Sequence, residues 1–452
     1  MNDRIDFERL VNERFAREHD VRPPDGAVDE ILTQAGRARP LPRWLALIKE
    51  PSMRYSSTLG VGSPTVRVLA ILGATLLLIA LVTVAGAGAA RLLAADGAFV
   101  VDADGDGTHM TITDALTEAD DGDTIHVRPG TYVEAIIIDK DITLAGDGPR
   151  EDIVIRPPED GPTTYYDAVG IYQFDPAYVL LVDDSQAEVR GLTFAGAQAG
   201  VVVEAGSPTL TDLVLEENEW GVLMHSGSTA KLTDSLLTVG GIEFAASEPI
   251  IEGNDLRDGA GIMGVFSTGD GTVIRDNVLT DGRIEVGGSP LIEGNTVSGA
   301  VSVGIVSMNV EGPAGAPVIR NNTIRGSRSG IQVGSGGLDG GVAAGSPDAA
   351  AAVPVVSGND VSAELNAISV NHADATISEN TIHDSWNGIV LFGSGSAEIV
   401  GNEVDVEWFG IDIGKDTSPS VAGNSICGGS ASISVHDTAT PSIGENTICG
   451  AA

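Results

Sequence analysis

The chain has 452 residues, with 25 Lys and Arg against 64 Asp and Glu and a formal charge of −39. That acidity excludes simple nucleic-acid binding, because affinity for a phosphate backbone comes from counterion release by basic side chains. It also repels long acidic polymers unless calcium bridges the two surfaces.

Residues 1–67 hold 11 of the Lys and Arg and 10 of the acids, leaving 14 against 54 in the remainder. Two short amphipathic stretches, Ile5–His19 and Gly26–Ala35, read as helices; Pro40, Pro42, Pro51 and Pro64 then break any regular pattern. The expectation is a short cytoplasmic segment, either a docking tail or a signalling contact. Residues 68–90 form an uncharged run of 23 between Arg67 and Arg91. As a helix it is about 35 Å long, enough to cross a bilayer. Arg37, Arg39, Arg43, Lys49, Arg54 and Arg67 precede it against the single acid Glu50, which places the N-terminus in the cytoplasm and the rest outside. Ala85–Ala87 leaves cleavage of the span as an alternative. Residues 91–98 are a linker.

From Phe99 onward the pattern changes. Asp102, Asp104 and Asp106 with Gly107 have the spacing that opens a calcium loop, but Thr113 stands where the closing Glu belongs. A plain turn is the alternative. An apolar-x-x-Asn-x-apolar phrase then recurs at Asn254, Asn277, Asn295, Asn322, Asn359, Asn380, Asn402, Asn424 and Asn446. The last four steps are 21, 22, 22 and 22 residues, so the chain is a solenoid of stacked coils. Weaker copies put Leu192, Leu213 and Ser235 where Asn would stand. Apolar and polar residues alternate within the phrase, which is strand periodicity. Stacked in register, such strands form parallel sheets with a continuous apolar interior of about a dozen coils. Each Asn falls at a turn, where its amide can donate one coil along and its backbone tolerates left-handed geometry. Gly334–Pro354 lengthens one coil and reads as a loop insertion, 334–354.

Near the C-terminus, Trp386 and Trp408 are 22 apart and so stack on adjacent coils. His383, Asp384, Asp405 and Glu407 surround them, followed by Asp412, Lys415, His436 and Asp437. Aromatic faces beside carboxylates suit a sugar, whose apolar face stacks while its hydroxyls donate to acids. An aromatic stack closing a turn among ordinary surface groups is the alternative. Cys427 and Cys449 are also 22 apart, which brings their Cα atoms within about 5 Å. A disulfide spans that distance and would pin the last two coils; an unbridged stack of thiols is the alternative.

The repeat resembles the right-handed parallel β-helix of the pectin lyase-like superfamily, nearest the right-handed β-helix repeat proteins. Thr111–Leu116, Asp121–Tyr132 and Ile142–Gly148 match the usual opening of that fold, where an amphipathic helix caps the first coil. The resemblance implies an all-β solenoid over residues 99–452. Its members include the periplasmic accessory protein of nitrous-oxide reductase maturation and carbohydrate-binding or sugar-hydrolase domains. The Gly-His-Gly, Arg-Ile-Lys and paired-Asp phrases of the family's polysaccharide-active enzymes are not found here. Tyr172–Ala177 departs from the signature of β-helical mannuronan epimerases, with Gln173 in place of Gly and Ala177 in place of His. Met110, Met224, Met263 and Met308 do not pair in sequence, which argues against copper. The leading expectation is a membrane-anchored surface module that holds a carbohydrate or another envelope component without catalysis. The alternative is a polysaccharide lyase, hydrolase or epimerase. No cofactor is required by either reading, calcium being the one ion the acids could recruit.

Overall fold

The computed structural model describes residues 99–159, 178–225, 227–265, 271–309, 315–335 and 353–449. The expected cytoplasmic segment 1–67, membrane helix 68–90, linker 91–98, the Tyr172–Ala177 motif and most of the 334–354 loop lie outside the described residues. Among the described residues no helix is long and apolar enough to cross a membrane.

Short strands follow one another with a lateral step at every turn, so each pairs with its counterpart one coil away. One sheet stacks fifteen strands in parallel, from Phe99–Val101 to Ser442–Ile443. The remaining twenty-five pair in parallel as two further series, which run together in the long strands Thr381–Phe392 and Glu403–Ile413. The result is a right-handed parallel β-helix with three faces. It makes about fourteen turns, more than the dozen expected, because the early coils lacking the Asn phrase are full rungs too.

Alternation within each strand sends every second side chain inward. In the fifteen-stranded sheet Ile125, Leu144, Val189, Leu210, Leu232 and Ile251 begin one such column, in register and fully buried. Ile274, Ile292, Ile319, Val356, Ile377, Ile399 and Val421 continue it. No strand of three residues holds its place alone; each is fixed by apolar burial against the coils on either side.

The Asn column is the second fixed line. Each buried amide donates to the side-chain oxygen of the next Asn, from Asn254 to Asn446, at 2.9–3.0 Å. The next oxygen also accepts from the backbone N–H, as Asn402 Oδ1 does from Asn380. The second amide hydrogen goes to a core-strand carbonyl, for example Val356 O from Asn380. Both donors are therefore satisfied inside an apolar core. The ladder starts one rung earlier than the Asn phrase does, since Ser235 N donates to Asn254 Oδ1. The expected left-handed backbone is displaced by one residue. Positive φ falls on the residue before each ladder Asn from Asn254 to Asn424: Asp276, Asn321 and Glu379, and otherwise Gly253, Gly294, Gly358, Gly401 and Gly423. The ladder Asn itself must remain extended to aim its amide along the axis.

Helix Ile112–Glu118 closes the N-terminal end, burying Ile112, Ala115 and Leu116. Thr111 Oγ1 accepts from Asp114 N, and Glu134 accepts from the Ile112 and Thr113 N–H groups. Lys140 Nζ reaches the Leu116 and Ala119 carbonyls at the other end. Both poles of the short helix are thus complemented by charge. At the far end a disulfide joins Cys427 and Cys449, with Cα atoms 4.6 Å apart.

Asn380→Ala leaves several buried partners unsatisfied and should cost about 3 kcal/mol in denaturant unfolding. Asn446, on the half-exposed last rung, should cost under about 1 kcal/mol, since water replaces its partners. Equal losses at the two positions would show that the ladder does not act through burial.

Candidate functional site

The two indoles sit where two faces meet. Strand Thr381–Phe392 loses register with Glu403–Ile413 around Ser385, and Asp384 adopts φ 49°, so the chain turns a corner there. Ser385 is buried in that corner, accepting from Ala363 N and donating to the His383 carbonyl. Beyond that corner Trp386 and, on the next coil, Trp408 are thrown outward. Trp386 and Trp408 are 44% and 39% exposed, with ring centroids 5.4 Å apart and planes 11° from parallel. Phe409 braces Trp408 edge-on at 5.6 Å. Since the rings stack on each other, only their outer faces and edges are open to a ligand.

The polar residues fall into two groups. His383 lies between Asp384 Oδ2, at 2.7 Å from Nδ1, and Asp360 Oδ1, at 3.1 Å from Nε2. Asp360 is in turn paired with Arg325. Asp405 is in register with His383 on one side and Cys427 on the other, so the bridge ends the same outward column. Asp405, Glu407 and Lys415 are exposed. On the adjoining face Asp412 Oδ1 meets His436 Nε2 at 2.9 Å, with Asp437 exposed beyond. Both groups share the strand Glu403–Ile413, yet no hydrogen bond among the described residues joins them. Asp360 and Arg325 were not anticipated. Counting from the ladder would have found Arg325, because Arg325 and His383 both stand three residues after a ladder Asn; Asp360 stands one after Asn359.

The acidic turn near the start is held differently from a calcium loop. Asp102 Oδ1 accepts from Asp104 N, while Oδ2 takes Arg128 Nη1 at 2.9 Å. That guanidinium also donates to the Asp106 carbonyl and holds the Asp102 carboxyl below the usual carboxylate range. Arg128 thus stands where the ion would be. No group of three or more His, Cys, Asp or Glu among the described residues could hold a metal ion.

A second concave site escaped the sequence entirely. Coils of 19 and 18 residues around Asn254 and Asn295 set back one corner of the helix. Glycines make the retreat possible: a Cβ on Gly282 would lie 1.9 Å from the Ala260 carbonyl oxygen, and one on Gly241 2.4 Å from that of Gly261. The recess is a cleft of about 350 Å³, lined by Trp220, Glu243, Met263 and Arg283, with Glu219 and Asp281 at its rim. Glu243 stands between Leu223 and Met263 on the neighbouring strands. Burial pushes its carboxyl up, against the opposing pull of the Trp220 indole N–H, which donates to it.

Residues 309–452 match the family model described as right handed beta helix region. No curated protein matches this chain in sequence. The structure is similar to that of the periplasmic alginate epimerase AlgG, at 13% identity and TM-score 0.44, covering 73% of this chain and 84% of that one. It is similar also to the GH87 α-1,3-glucanase catalytic unit from Streptomyces thermodiastaticus strain HF3-3, at 12% identity and TM-score 0.47, covering 78% and 69%. A third is the GH136 lacto-N-biosidase from Eubacterium ramulus, at 12% identity and TM-score 0.40, covering 78% and 67%. Likenesses at this level carry no argument about chemistry.

A carboxyl raised by burial contributes stability that is present below the ordinary Glu range and lost as pH rises through its own, higher value. Glu243→Gln cannot undergo that loss. Its denaturant midpoint should therefore gain on the parent's between about pH 4 and pH 7. A difference that stays flat across this range would show that Glu243 titrates like an exposed carboxylate.

Proposed function

We propose that the chain is a membrane-anchored, extracytoplasmic β-helix that binds a glycan on its outer surface at the Trp386–Trp408 corner. The observation that carries this reading is the pair of parallel indoles, each more than a third exposed on adjacent coils. A well-packed protein rarely leaves two Trp side chains beside each other in water without a partner. An outer indole face takes the C–H face of a sugar ring, and Asp405 and Glu407, exposed beside it, accept from hydroxyls. The anchoring rests on the uncharged 68–90 run and the basic residues before it. A surplus of 40 acids over bases beyond residue 67 favours neutral sugars, since an acidic chain would meet like charge at every coil.

Trp386→Ala combined with Trp408→Ala tests the site. Affinity electrophoresis in neutral polysaccharide gels should show retardation of the parent weakened about tenfold or more in the variant. Thermal stability should change little, because neither ring belongs to the buried core. Undiminished retardation would place the glycan elsewhere.

A further inference from the structure

The recess at the short coils carries an inference of its own. Its wall is the Trp220 ring, held from behind by a buried cluster of Tyr178, Ala199, Val202 and Leu223. Its floor has the Met263 thioether, 39% exposed, in register between Glu243 and Glu285. The carboxylates Glu219, Glu243 and Asp281 open onto it, and its one guanidinium, Arg283, is paired with Glu285 Oε2 at 2.7 Å. An anion would therefore find no free cation there. A ring face with a thioether and acids is the chemistry that holds a positive charge carrying apolar substituents.

We propose that this cleft is a second ligand site, distinct from the Trp386–Trp408 corner, which binds an alkylammonium group between the Trp220 ring and the Glu243 carboxylate. The cleft, at about 350 Å³, falls at the small end of the range for ligand pockets, so the group is a small amine or the ammonium of one sugar unit. The ring attracts the cation through its quadrupole, and Glu243 supplies the counter-charge at the enclosed end.

Binding is coupled to a proton. Burial between Leu223 and Met263 favours the neutral form of Glu243 in the empty cleft, while an ammonium favours the charged form. The charged groups around the cleft are Glu219 and Asp281 at its rim and the Arg283–Glu285 pair two coils beyond Glu243. Burial is what disfavours ionisation of Glu243, and an arriving cation offsets it. Glu243 thus releases its proton as the ligand enters, and affinity rises with pH until Glu243 is ionised in the free protein.

Isothermal titration calorimetry of the full chain in non-ionic detergent tests this, with tetramethylammonium, glucosamine and N-acetylglucosamine as probes. The expected result is saturable binding of a cationic probe, stronger at about pH 7 than at about pH 5, with proton release seen as a buffer-dependent heat. Glu243→Gln should weaken it about thirtyfold and remove the proton release. Trp220→Ala should weaken it roughly five- to thirtyfold. Trp220→Phe keeps a ring but loses the N–H, so it should retain binding while moving the pH midpoint upward. Glu398→Gln removes a carboxylate from another sheet and should change nothing. Glucosamine binding without tetramethylammonium binding would put the ammonium on a sugar; the reverse would make it a free amine. No binding of either cation overturns the proposal. So does N-acetylglucosamine bound as tightly as glucosamine, or full binding by Glu243→Gln. Loss of glycan retention at the Trp386–Trp408 corner leaves these results untouched, so the two sites fail separately.

Discussion

Everything in this molecule depends on identical side chains meeting themselves one coil away. The Asn ladder states the condition most sharply. An amide inside an apolar core must satisfy two donors and one acceptor, and only another amide at the same position of the next coil does so without water. A slip of one residue between coils would break every rung and turn each apolar column outward. The ladder and the Ile, Leu and Val columns therefore enforce one register, and the outer surface inherits it. Side chains that follow a ladder Asn by the same count form columns of their own, and this sets Trp386 over Trp408 and Cys427 over Cys449.

Where that register is interrupted, the surface acquires shape. The bulge at Asp384 and Ser385 turns the strand and exposes the indoles. The 19- and 18-residue coils pull in a corner and leave the Glu243 recess. A uniform solenoid has flat faces. Both candidate sites lie at departures from uniformity, which cost regular pairing and are made possible by Gly and by left-handed Asp.

Much of the fold was legible in the sequence because the last coils repeat at nearly constant spacing, and any one of them explains the next. The cap helix was legible from Thr111–Leu116 ahead of the first strands. Legibility stopped where the period did. Glu243 lies between coils of unequal length, so no alignment of repeats could say that Leu223 and Met263 flank it or that Trp220 reaches it. The chain of contacts from His383 through Asp360 to Arg325 was hidden for a different reason. Asp360 and Arg325 are 23 and 58 residues away, but one rung apart once the long coil between Asn322 and Asn359 is counted as a single turn. The Asp102 turn read either as a plain turn or as the start of a calcium loop, and the cation it holds is the guanidinium of Arg128, 26 residues on. Spacing within a loop reports the turn; it does not report what a neighbouring coil places inside it.

The role proposed for the outer surface is to hold a neutral glycan. Its most direct measurement is equilibrium retention of a panel of neutral and acidic polysaccharides by the full chain, with and without calcium, followed by the length of the recovered glycan. A neutral glycan should be retained independently of calcium, and acidic chains should be excluded in its absence. Failure to retain any neutral glycan, or retention only of acidic chains through calcium, would contradict it.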